Sequence, residues 1–575
     1  MQFRRLIVCA AAVAAYINTL SHAFVYDDIW GIVSKTEIAA ADIPSLMRIL
    51  RLPARAFLLW TYGLTFYFAG FNPFVFHLTN VLIHAVNSLL VFEIARRLTN
   101  LWMKDAKTSA LPFAAGLIHA LHPFYTEAVA YVWGRSSLLC ATFYFGALLL
   151  VIVGREKRNC RDAPRILKLK NSGCVPAIPF LLGAILCGFL AWKTKEEAIT
   201  LPLLVASFFF IDGVWIAGLL LVIAPAVVVL FSWTRLMQVY YEIIQNTELT
   251  SVGLEPALPA GIYALTQLKA SVSYYLWHFI SPIGLNADPD VKTVMNFVDP
   301  AFLFSLAVLI TLATGSFMLA KRRPLPAFAL AAILISPLTF YAAIPLRDVV
   351  AEHRAYIAGL GVDLIAAWVL TRRRRVAIPI MAGLAVILGG LTIQRNGVWK
   401  DSLTLWTDTE KKAPNRLRPH LNLGETYQSI GANDLAIREY QHALALQPNL
   451  TPVYVNLGAI HLSRGEVAVA EPLFHKALEL SPNLIEPLVN LAIIRIRQGQ
   501  GSAALEYVER AAALNPMSYL VHFTRGDVLM MLGRYEEAKA DYREAIQLRP
   551  DLKDVQEQVQ RRLAQIEAVQ RGNTK

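Results

Sequence analysis

Long apolar segments recur throughout residues 1–395 of this 575-residue chain. A helix that crosses the hydrocarbon core of a bilayer needs about 20 mostly apolar residues. Segments approaching this length lie near 6–21, 75–95, 108–121, 137–153, 177–192, 198–211, 214–231, 301–320, 325–343, 355–371 and 376–394. Hydrophobic residues make up 56% of the chain and charged residues 17%, against about 45–50% and about 25% in soluble proteins. The chain is therefore predicted to be all-α, with a polytopic membrane helix bundle of about 11 spans, which excludes a wholly soluble enzyme.

Two aromatic stretches, 56–71 and 262–281, are expected to lie at the membrane surface rather than to cross it. With both left out of the span count, every basic cluster falls on one side of the membrane. The clusters are Arg4–Arg5, Arg96–Arg97 with Lys104 and Lys107, 155–170, Lys321–Arg323 and Arg372–Arg375. Because cytoplasmic loops carry an excess of Lys and Arg, this side is predicted to be cytoplasmic. The odd number of spans then places the C-terminal third of the chain outside the cytoplasm.

The net charge of +12 belongs entirely to the apolar part of the chain. Residues 396–575 hold 21 basic and 21 acidic residues, which leaves 33 and 21 for residues 1–395 out of totals of 54 and 42. A basic excess confined to apolar segments indicates membrane topology and argues against nucleic-acid binding. The five cysteines lack paired metal-ligand spacing, so we predict no disulfide framework and no zinc site.

Ionisable residues collect at the ends of predicted spans that face the extracytoplasmic side. They are Asp27 and Asp28, then His122, Glu127 and Arg135, then Lys193, Lys195, Glu196 and Glu197, and finally Arg347, Asp348, Glu352, His353 and Arg354. Charges close to the membrane are costly, and they tend to mark functional sites. The alternative is that each cluster is an ordinary solvated loop. Their position on one side of the membrane favours a shared site.

A period of 34 residues runs through the C-terminal part of the chain. Its markers are Pro414, Pro448, Pro482, Pro516 and Pro550, with Gly431, Gly465, Gly499 and Gly533 in the same register. Glycine suits the turn inside a helix pair, and proline ends the second helix. The pattern resembles the tetratricopeptide repeat (TPR). It predicts four repeats over 415–550, after a linker at 396–414 and before a capping helix and tail at 551–575.

TPR solenoids present a concave groove that binds peptides or partner proteins. The groove predicts a protein partner, whereas the alternative is that the repeats form a purely structural spacer.

The Asp27–Asp28 pair follows the first predicted span at the extracytoplasmic surface. One carboxylate can accept a proton from an acceptor hydroxyl while the other positions the acceptor or shifts the pKa of its neighbour. A basic side chain nearby can hold a phosphate leaving group. These parts suit sugar transfer from a polyprenyl-phosphate sugar. The alternative is that the pair serves as a helix cap or an ion-pair partner.

Five short motifs resemble those of a known family: FVYDD at 24–28, HLTNVLIHAVN at 77–87, HPFYTEAVAYVWGR at 122–135, TKEEAIT at 194–200 and EHRAYI at 352–357. With the repeats that follow, they make the chain similar to the transmembrane and TPR-containing (TMTC-like) family of GT-C glycosyltransferases. The resemblance implies that residues 1–395 form a GT-C-like transmembrane domain. It implies an inverting, metal-independent transfer of a mannose-like sugar from a polyprenyl-phosphate donor to Ser or Thr of a protein. No cofactor is implied, because the lipid-linked sugar is a co-substrate.

The resemblance places the family's acidic pair at Asp27 and Asp28, with Asp27 as the expected base. From their charge and their side of the membrane, Arg135, Lys195 and Arg354 are assigned to the lipid phosphate. The other motif positions are expected to support the site; they are His122, Glu127, Glu196, Glu352, His353 and Tyr356.

The chain also departs from the eukaryotic pattern, because His353 follows Glu352 where an arginine is usual and because the repeat array is short. These departures indicate a bacterial inner-membrane protein with periplasmic repeats; a eukaryotic member would carry its repeats in the endoplasmic reticulum lumen.

The expected partners are the lipid-linked sugar, an acceptor protein or peptide in the TPR groove and membrane lipids, without nucleic acid. The alternative function is a non-enzymatic, membrane-anchored TPR scaffold for an envelope complex. A transporter for a lipid-linked sugar is the third hypothesis.

Overall fold

The computed structural model describes residues 1–35, 38–39, 42–52, 55–103, 110–159, 178–223, 258–338, 346, 348–549 and 552–572. Within these ranges all regular structure is helical, which confirms the predicted all-α fold. The described residues form two compact units, one up to Pro414 and one from Asn415 onward.

The first unit is a bundle of helices, most of which are apolar. They are α1 Gln2–Tyr16, α2 Ile43–Ile49, α3 Ala56–Ala69, α4 Pro73–Trp102, α5 Leu111–Leu121, α6 Thr126–Ala130, α7 Arg135–Asn159, α8 Ile178–Thr194, α9 Leu201–Ile211, α10 Ala260–Ala270, α11 Trp277–Ile280, α12 Pro300–Leu319, α13 Pro324–Ile335, α14 Gly359–Thr371, α15 Arg374–Asn396 and α16 Ser402–Lys412. Short 3-10 or π turns join several of them, among them Pro123–Tyr125, Val132–Gly134, Glu196–Thr200 and Glu352–Ala355.

Five helical segments in the described ranges are long and apolar enough to cross a membrane: Gln2–Ser21, Pro73–Trp102, Val132–Glu156, Pro300–Leu319 and Ala377–Trp399. Five further apolar helices have 10–17 residues. These helices confirm the polytopic apolar architecture but do not confirm the count of about 11 spans. The predicted spans at 214–231 and 325–343 lie partly outside the described residues, since 224–231 and 339–343 are not among them.

The long helix α4 organises the polar interior of the first unit. Its buried polar residues from 77 to 88 share one side of the helix and form a stripe; they are His77, Asn80, His84, Asn87 and Ser88. The Asn80 Nδ2 donates to the carbonyl oxygens of Val129 and Tyr131 at 3.3 and 3.2 Å. Asn87 Nδ2 donates to the Leu138 carbonyl at 2.9 Å. The stripe therefore anchors the connection between α5 and α7.

That connection, 122–134, is irregular and almost completely buried. It consists of the turn Pro123–Tyr125, the five-residue helix α6 and the turn Val132–Gly134. His122 holds its start, because its Nδ1 accepts from the Phe124 amide at 3.2 Å and its Nε2 lies 3.0 Å from the Phe279 carbonyl. Buried backbone outside a long helix needs such partners.

Residues 396–414, which we predict to be a linker, belong to the first unit and contain α16. The Ala23 amide donates to the Lys400 carbonyl at 3.0 Å, and Asn396 Nδ2 donates to the Ala15 carbonyl at 2.8 Å. A capping box at Asp401 and Thr404 starts α16. The segment is thus packed against the end of α1 and the chain that follows it.

The second unit is a series of helix pairs followed by one longer helix. The helices are α17 Leu417–Ser429, α18 Asn433–Leu446, α19 Thr451–Ser463, α20 Val467–Leu480, α21 Ile485–Arg497, α22 Gly501–Leu514, α23 Tyr519–Met531, α24 Tyr535–Leu548 and α25 Lys553–Gly572. The glycines that mark the 34-residue period have φ between 73° and 78° at the turn inside each pair, a conformation that glycine adopts without strain. The helix pairs confirm the TPR architecture.

Candidate functional site

The acidic pair lies on a tight segment between α1 and the π turn Ile29–Val33. Tyr26 has a φ of 57°, which is unusual for a residue with a side chain. Its ring stacks on Tyr131 with centroids 5.8 Å apart and meets Trp406 edge-on at 5.1 Å. These aromatic contacts hold the strained residue in place, and they fix the direction of the two carboxylates that follow it.

Asp28 is completely buried and accepts three backbone hydrogen bonds. Its Oδ1 accepts from the Trp133 amide at 2.7 Å, and its Oδ2 accepts from the amides of Val25 and Val132 at 3.1 and 3.4 Å. Burial raises the pKa of the Asp28 carboxyl to about 8, although the three amide hydrogen bonds oppose that rise. Asp28 therefore ties the segment after α1 to the connection before α7.

Asp27 has a different environment, although it is the next residue along the chain. Its side chain is half-buried and interacts with the hydroxyl of Tyr131. Burial, together with the carboxylates of Asp27 and Asp28, raises the pKa of Tyr131 well above its ordinary value. The Tyr131 ring also stacks on Trp399, with centroids 5.3 Å apart. Asp27 is thus the more accessible carboxylate of the pair, at the edge of an aromatic cluster.

A second acidic pair lies where α6 meets the turn Glu352–Ala355. Glu127 is buried; its Oε2 accepts from the Glu352 amide at 2.8 Å, and its Oε1 lies 2.6 Å from His353 Nδ1. Glu352 Oε1 accepts from the Tyr274 hydroxyl and the Asn286 amide, both at 2.9 Å. Glu127 is therefore in direct contact with Glu352 and His353, which lie more than 220 residues further along the chain.

Burial raises the pKa of both Glu127 and Glu352 to about 7. The Glu127 charge adds to the rise at Glu352, whereas Arg395 opposes it in both groups. Burial also lowers the pKa of His353 well below its ordinary value, with a further contribution from Lys195 and Arg354. The neutral imidazole then donates from Nδ1 to Glu127, which fixes the turn at 352–355.

Two of the predicted phosphate ligands lie near this turn, and each has an acidic partner. Lys195 Nζ is 2.6 Å from Glu197 Oε1 and donates to Ser137 Oγ at 2.8 Å. Arg354 Nη2 lies 4.0 Å from Asp348 Oδ2, and its Nη1 donates to the backbone carbonyl of the same residue at 2.6 Å. The charges of both cations contribute to the lowered pKa of His353.

Glu196, in contrast, has an exposed side chain and pairs with Arg55 at 3.1 Å. This ion pair joins the turn after α8 to the start of α3.

Arg135 is completely buried, and its three nitrogens are engaged within the protein. Nε donates to Asn80 Oδ1 at 2.9 Å, Nη1 to Thr65 Oγ1 at 3.1 Å and Nη2 to the Phe76 carbonyl at 3.0 Å. The guanidinium also lies 4.5 Å from the Tyr62 ring centroid. This geometry favours a structural role for Arg135, joining α3 and α4 to α7, over the predicted contact with a lipid phosphate.

The Tyr356 side chain belongs to a buried network of polar side chains. Its hydroxyl lies 2.7 Å from His84 Nδ1 and 3.1 Å from His119 Nε2. Asp363 Oδ2 lies 2.7 Å from His119 Nδ1 and accepts from the Tyr125 hydroxyl at 2.8 Å. The network joins α4, α5 and α14, and it fixes the residue that immediately follows the turn Glu352–Ala355.

Arg395 is the main residue of this region that sequence reasoning missed. It is 6% exposed; its Nη2 lies 3.6 Å from Glu352 Oε2, and its Nη1 lies 3.1 Å from Asp408 Oδ2. Its Nε and Nη2 make no hydrogen bond within the described ranges. A single arginine near the end of an apolar span was a usable signal. Grouping the charges by loop leaves Arg395 out, because it lies inside helix α15.

Comparison with models of known protein families identifies the C-terminal repeats. Tetratricopeptide-repeat family models match residues 417–450 and 489–552. A thermophilic TPR protein of Thermus thermophilus matches 32% of this chain and 96% of its own, at 19% identity and a TM-score of 0.26. MamA matches 25% of this chain and 80% of its own, at 21% identity and a TM-score of 0.23.

Curated relatives that match more of the chain than the repeats alone are protein O-mannosyl-transferases. A Caenorhabditis elegans protein O-mannosyl-transferase is 22% identical over 77% of this chain and 63% of its own length. Human protein O-mannosyl-transferase TMTC3 is 22% identical over 77% of this chain and 51% of its own. Drosophila melanogaster protein O-mannosyl-transferase Tmtc2 is 30% identical over 37% of this chain and 22% of its own. The matches thus span 51–63% of the two relatives that align with most of the chain.

Proposed function

Because the chain is related to the TMTC protein O-mannosyl-transferases, we propose that it is a GT-C-type membrane glycosyltransferase. It transfers a mannose-like sugar from a polyprenyl-phosphate donor to a Ser or Thr hydroxyl of a protein. The transfer is inverting and metal-independent. The main support is the asymmetry of the acidic pair, in which Asp28 is bonded to three amides while its neighbour Asp27 stays half-buried.

In this proposal Asp27 is the general base. Its carboxylate accepts the proton of the acceptor hydroxyl as the hydroxyl oxygen attacks the anomeric carbon of the donor. The bond between that carbon and the phosphate oxygen breaks, and the polyprenyl phosphate leaves with the bonding electron pair. Attack from the face opposite the phosphate inverts the anomeric carbon. Asp28 positions Asp27 through its hydrogen bonds to the amides of Val25, Val132 and Trp133.

The leaving phosphate needs cationic partners, and we assign Lys195, Arg354 and Arg395 to it. The charges of Lys195 and Arg354 both contribute to the lowered pKa of His353, and Arg395 has two buried nitrogens without hydrogen bonds in the described ranges. Arginine suits phosphate because its planar N–H donors match two phosphate oxygens. Glu127, Glu352 and His353 keep the turn that carries Arg354 in position.

The proposed setting is an extracytoplasmic membrane face, in a bacterial inner membrane with the repeats in the periplasm. The proposed role of the TPR unit is to recruit the acceptor protein, because TPR solenoids bind peptides in their grooves. The exposed apolar side chains of α12, such as Phe304, Phe317 and Met318, suit contact with lipid.

The test uses the full chain purified in detergent, a radiolabelled polyprenyl-phosphate mannose and a panel of Ser/Thr-containing peptides. We expect sugar transfer by the wild type and a loss of at least about 100-fold in Asp27→Asn. Asp290→Asn, which neutralises an exposed carboxylate of the same unit, is the matched control and should retain full activity. Equal activity of Asp27→Asn and the wild type would exclude Asp27 as the base. A wild type that transfers nothing to any acceptor would count against the whole proposal.

The scaffold hypothesis is the second candidate, because the family matches at 417–450 and 489–552 identify a module that binds proteins. It predicts that deleting residues 415–575 abolishes function in the cell while Asp27→Asn leaves it intact. The transferase proposal predicts that Asp27→Asn abolishes it too.

A further inference from the structure

The first repeat brings three metal-ligand side chains together, and we name them the first-repeat cluster. His420 lies on α17, and Glu439 and His442 lie three residues apart on α18. His420 Nδ1 is 2.7 Å from Glu439 Oε2, and the two imidazole rings lie 5.3 Å apart at 84°. One ligand atom of each side chain lies within 4.8 Å of the other two. In the part of the chain that the structure describes, this is the one such group of three.

The fourth repeat provides an internal comparison, because its equivalent positions hold His522, Asp541 and Glu544. His522 Nδ1 lies 2.8 Å from Asp541 Oδ1, so the histidine–carboxylate pair recurs there. His522 Nε2 also lies 2.8 Å from the Pro516 carbonyl. The pair alone is therefore explained by the packing of a repeat. The first-repeat cluster differs by its second imidazole, which replaces the glutamate at the third position.

The two repeats also differ in what surrounds the carboxylate. In the fourth repeat, Arg525 Nε lies 3.3 Å from Asp541 Oδ2 and balances its charge. The equivalent position of the first repeat is Leu423, which is buried. An arginine next to a carboxylate competes with a metal cation for its oxygens. Leu423 removes that competitor from the side of Glu439.

We propose that the first-repeat cluster binds a divalent transition-metal ion, with Zn²⁺ as the preferred ion. Two imidazoles and one carboxylate are a donor set that Zn²⁺ takes in proteins, and imidazole nitrogen disfavours Mg²⁺ and Ca²⁺. The site is separate from the proposed sugar-transfer site and does not depend on that reaction.

The geometry needs only small changes to accept the ion. Bonds of about 2.0–2.1 Å in a tetrahedral arrangement place two ligand atoms about 3.3 Å apart, so His420 Nδ1 and Glu439 Oε2 move apart from their present 2.7 Å. His420 binds the ion through Nδ1 in the tautomer whose ring proton is on Nε2, so the proton between the two side chains passes to Nε2 by exchange with solvent. His442 is exposed, so its ring can turn toward the other two side chains. Water fills the fourth position of the ion.

The proposed ion joins the two helices of the first repeat, because its ligands come from both α17 and α18. An ion that binds the folded repeat and not the unfolded chain stabilises the repeat by mass action. Zinc should therefore protect this repeat against unfolding more than the other repeats.

The test is a calorimetric titration of Zn²⁺ into the full chain, purified in detergent without a polyhistidine tag and stripped with a chelator. We expect one ion per chain in the wild type. His442→Ala and Glu439→Gln should each weaken binding at least about tenfold. His442 is exposed, so its replacement should not unfold the repeat.

The matched control is His475→Ala on α20, which removes an exposed histidine that lies 3.8 Å from Glu471. This variant should bind Zn²⁺ like the wild type. A wild type that binds no Zn²⁺, or a His442→Ala variant that binds it as tightly as the wild type, would overturn the proposal. Equal loss of binding in His475→Ala and His442→Ala would show surface histidines acting unspecifically, which also overturns it.

Discussion

At the scale of single residues, Asp27 and Asp28 show that two identical side chains can differ in burial and hydrogen bonding because of their surroundings. Asp27 and Asp28 are identical in chemistry and adjacent in sequence, and their position at the end of an apolar segment was enough to single them out. Their difference arises from Tyr26, whose positive φ turns the chain so that Asp28 faces the amides of Val132 and Trp133. No local pattern predicts that turn, because its stabilising contacts come from Tyr131 and Trp406.

The bonds of Asp28 predict a stability effect that Asp27 does not share. In Asp28→Asn, an NH₂ group takes the place of one carboxylate oxygen and faces backbone N–H donors. At least one buried amide then loses its acceptor, which costs about 1–3 kcal/mol. We expect a lower unfolding midpoint for Asp28→Asn and an unchanged one for Asp27→Asn, measured by thermal unfolding of the full chain in detergent. Equal midpoints for the two variants would contradict the anchoring role of Asp28.

The raised pKa of Glu127 predicts a pH dependence of stability. Burial raises this pKa from 4.5 to about 7, so between these values the folded protein holds a proton that the unfolded chain has lost. The contribution of Glu127 is thus fully present below about pH 4.5, and it is lost as the pH rises through about 7. Glu127→Gln keeps the shape but cannot ionise, so its stability relative to the wild type should increase from about pH 5 to about pH 8. Unfolding midpoints at both values test this, and a constant difference would contradict it.

At the scale of elements, the regular helices followed from the sequence and the irregular connections did not. Apolar segments such as 75–95 and 301–320 match α4 and α12 because length and composition suffice to define a spanning helix. The repeat helices match because prolines and glycines mark their ends. The sequence identifies the connection 122–134 only as a motif and does not predict its conformation. That conformation depends on contacts with distant residues: its carbonyl groups accept from Asn80, and its Glu127 accepts from the Glu352 amide.

Gly134 in this connection has no room for a side chain. A Cβ there would lie 2.6 Å from the Ala128 carbonyl oxygen and 2.9 Å from that of Glu127, which are backbone atoms that cannot rotate away. Gly134→Ala should therefore displace α6, lower the free energy of unfolding by about 1–3 kcal/mol and disturb the contacts of Glu127. Gly390→Ala is the control, since nothing lies within 4 Å of its Cβ position. Unfolding midpoints in detergent compare the two variants, and equal values would contradict the crowding argument.

A departure in the repeat pattern also has a packing explanation. Gly458 faces the ring of Phe474, where an added Cβ would lie 2.7 Å from a ring carbon. The third repeat has Ala492 at the glycine position and the smaller Val508 at the aromatic position, both in one buried cluster. The size of one residue thus compensates for the size of the other.

This compensation predicts a coupled pair of substitutions. Gly458→Ala should cost about 1–3 kcal/mol by crowding, and Phe474→Val should cost stability by leaving a cavity. The double variant should lose less than the sum of the two, because valine makes room for the alanine. Hydrogen exchange of the α19 and α20 amides in the full chain measures each loss. Strictly additive losses would show that the two positions do not share the space.

At the scale of the whole molecule, the charge distribution and the apolar helices point to an oriented membrane protein. The basic excess lies in residues 1–395, in clusters that the positive-inside rule places in the cytoplasm. The ionisable residues of the proposed transfer site lie at the opposite ends of the same helices. The order of charges along the sequence is sufficient for this expectation, because orientation depends on which ends of the spans carry Lys and Arg. Predicting the number of spans also requires the length of each helix. Several apolar helices are shorter than the length needed to cross a bilayer.

The orientation itself is the last prediction. In a variant whose five native cysteines are replaced, Ser21→Cys and Lys321→Cys each place one exposed thiol at the end of a candidate span. Lys321 belongs to a basic cluster and Ser21 precedes the acidic pair, so the two thiols should face opposite sides of the membrane. A membrane-impermeant maleimide should label Ser21→Cys in intact spheroplasts, and it should label Lys321→Cys only after permeabilisation. The reverse pattern would place Asp27 in the cytoplasm, where an extracytoplasmic lipid-linked donor cannot reach it.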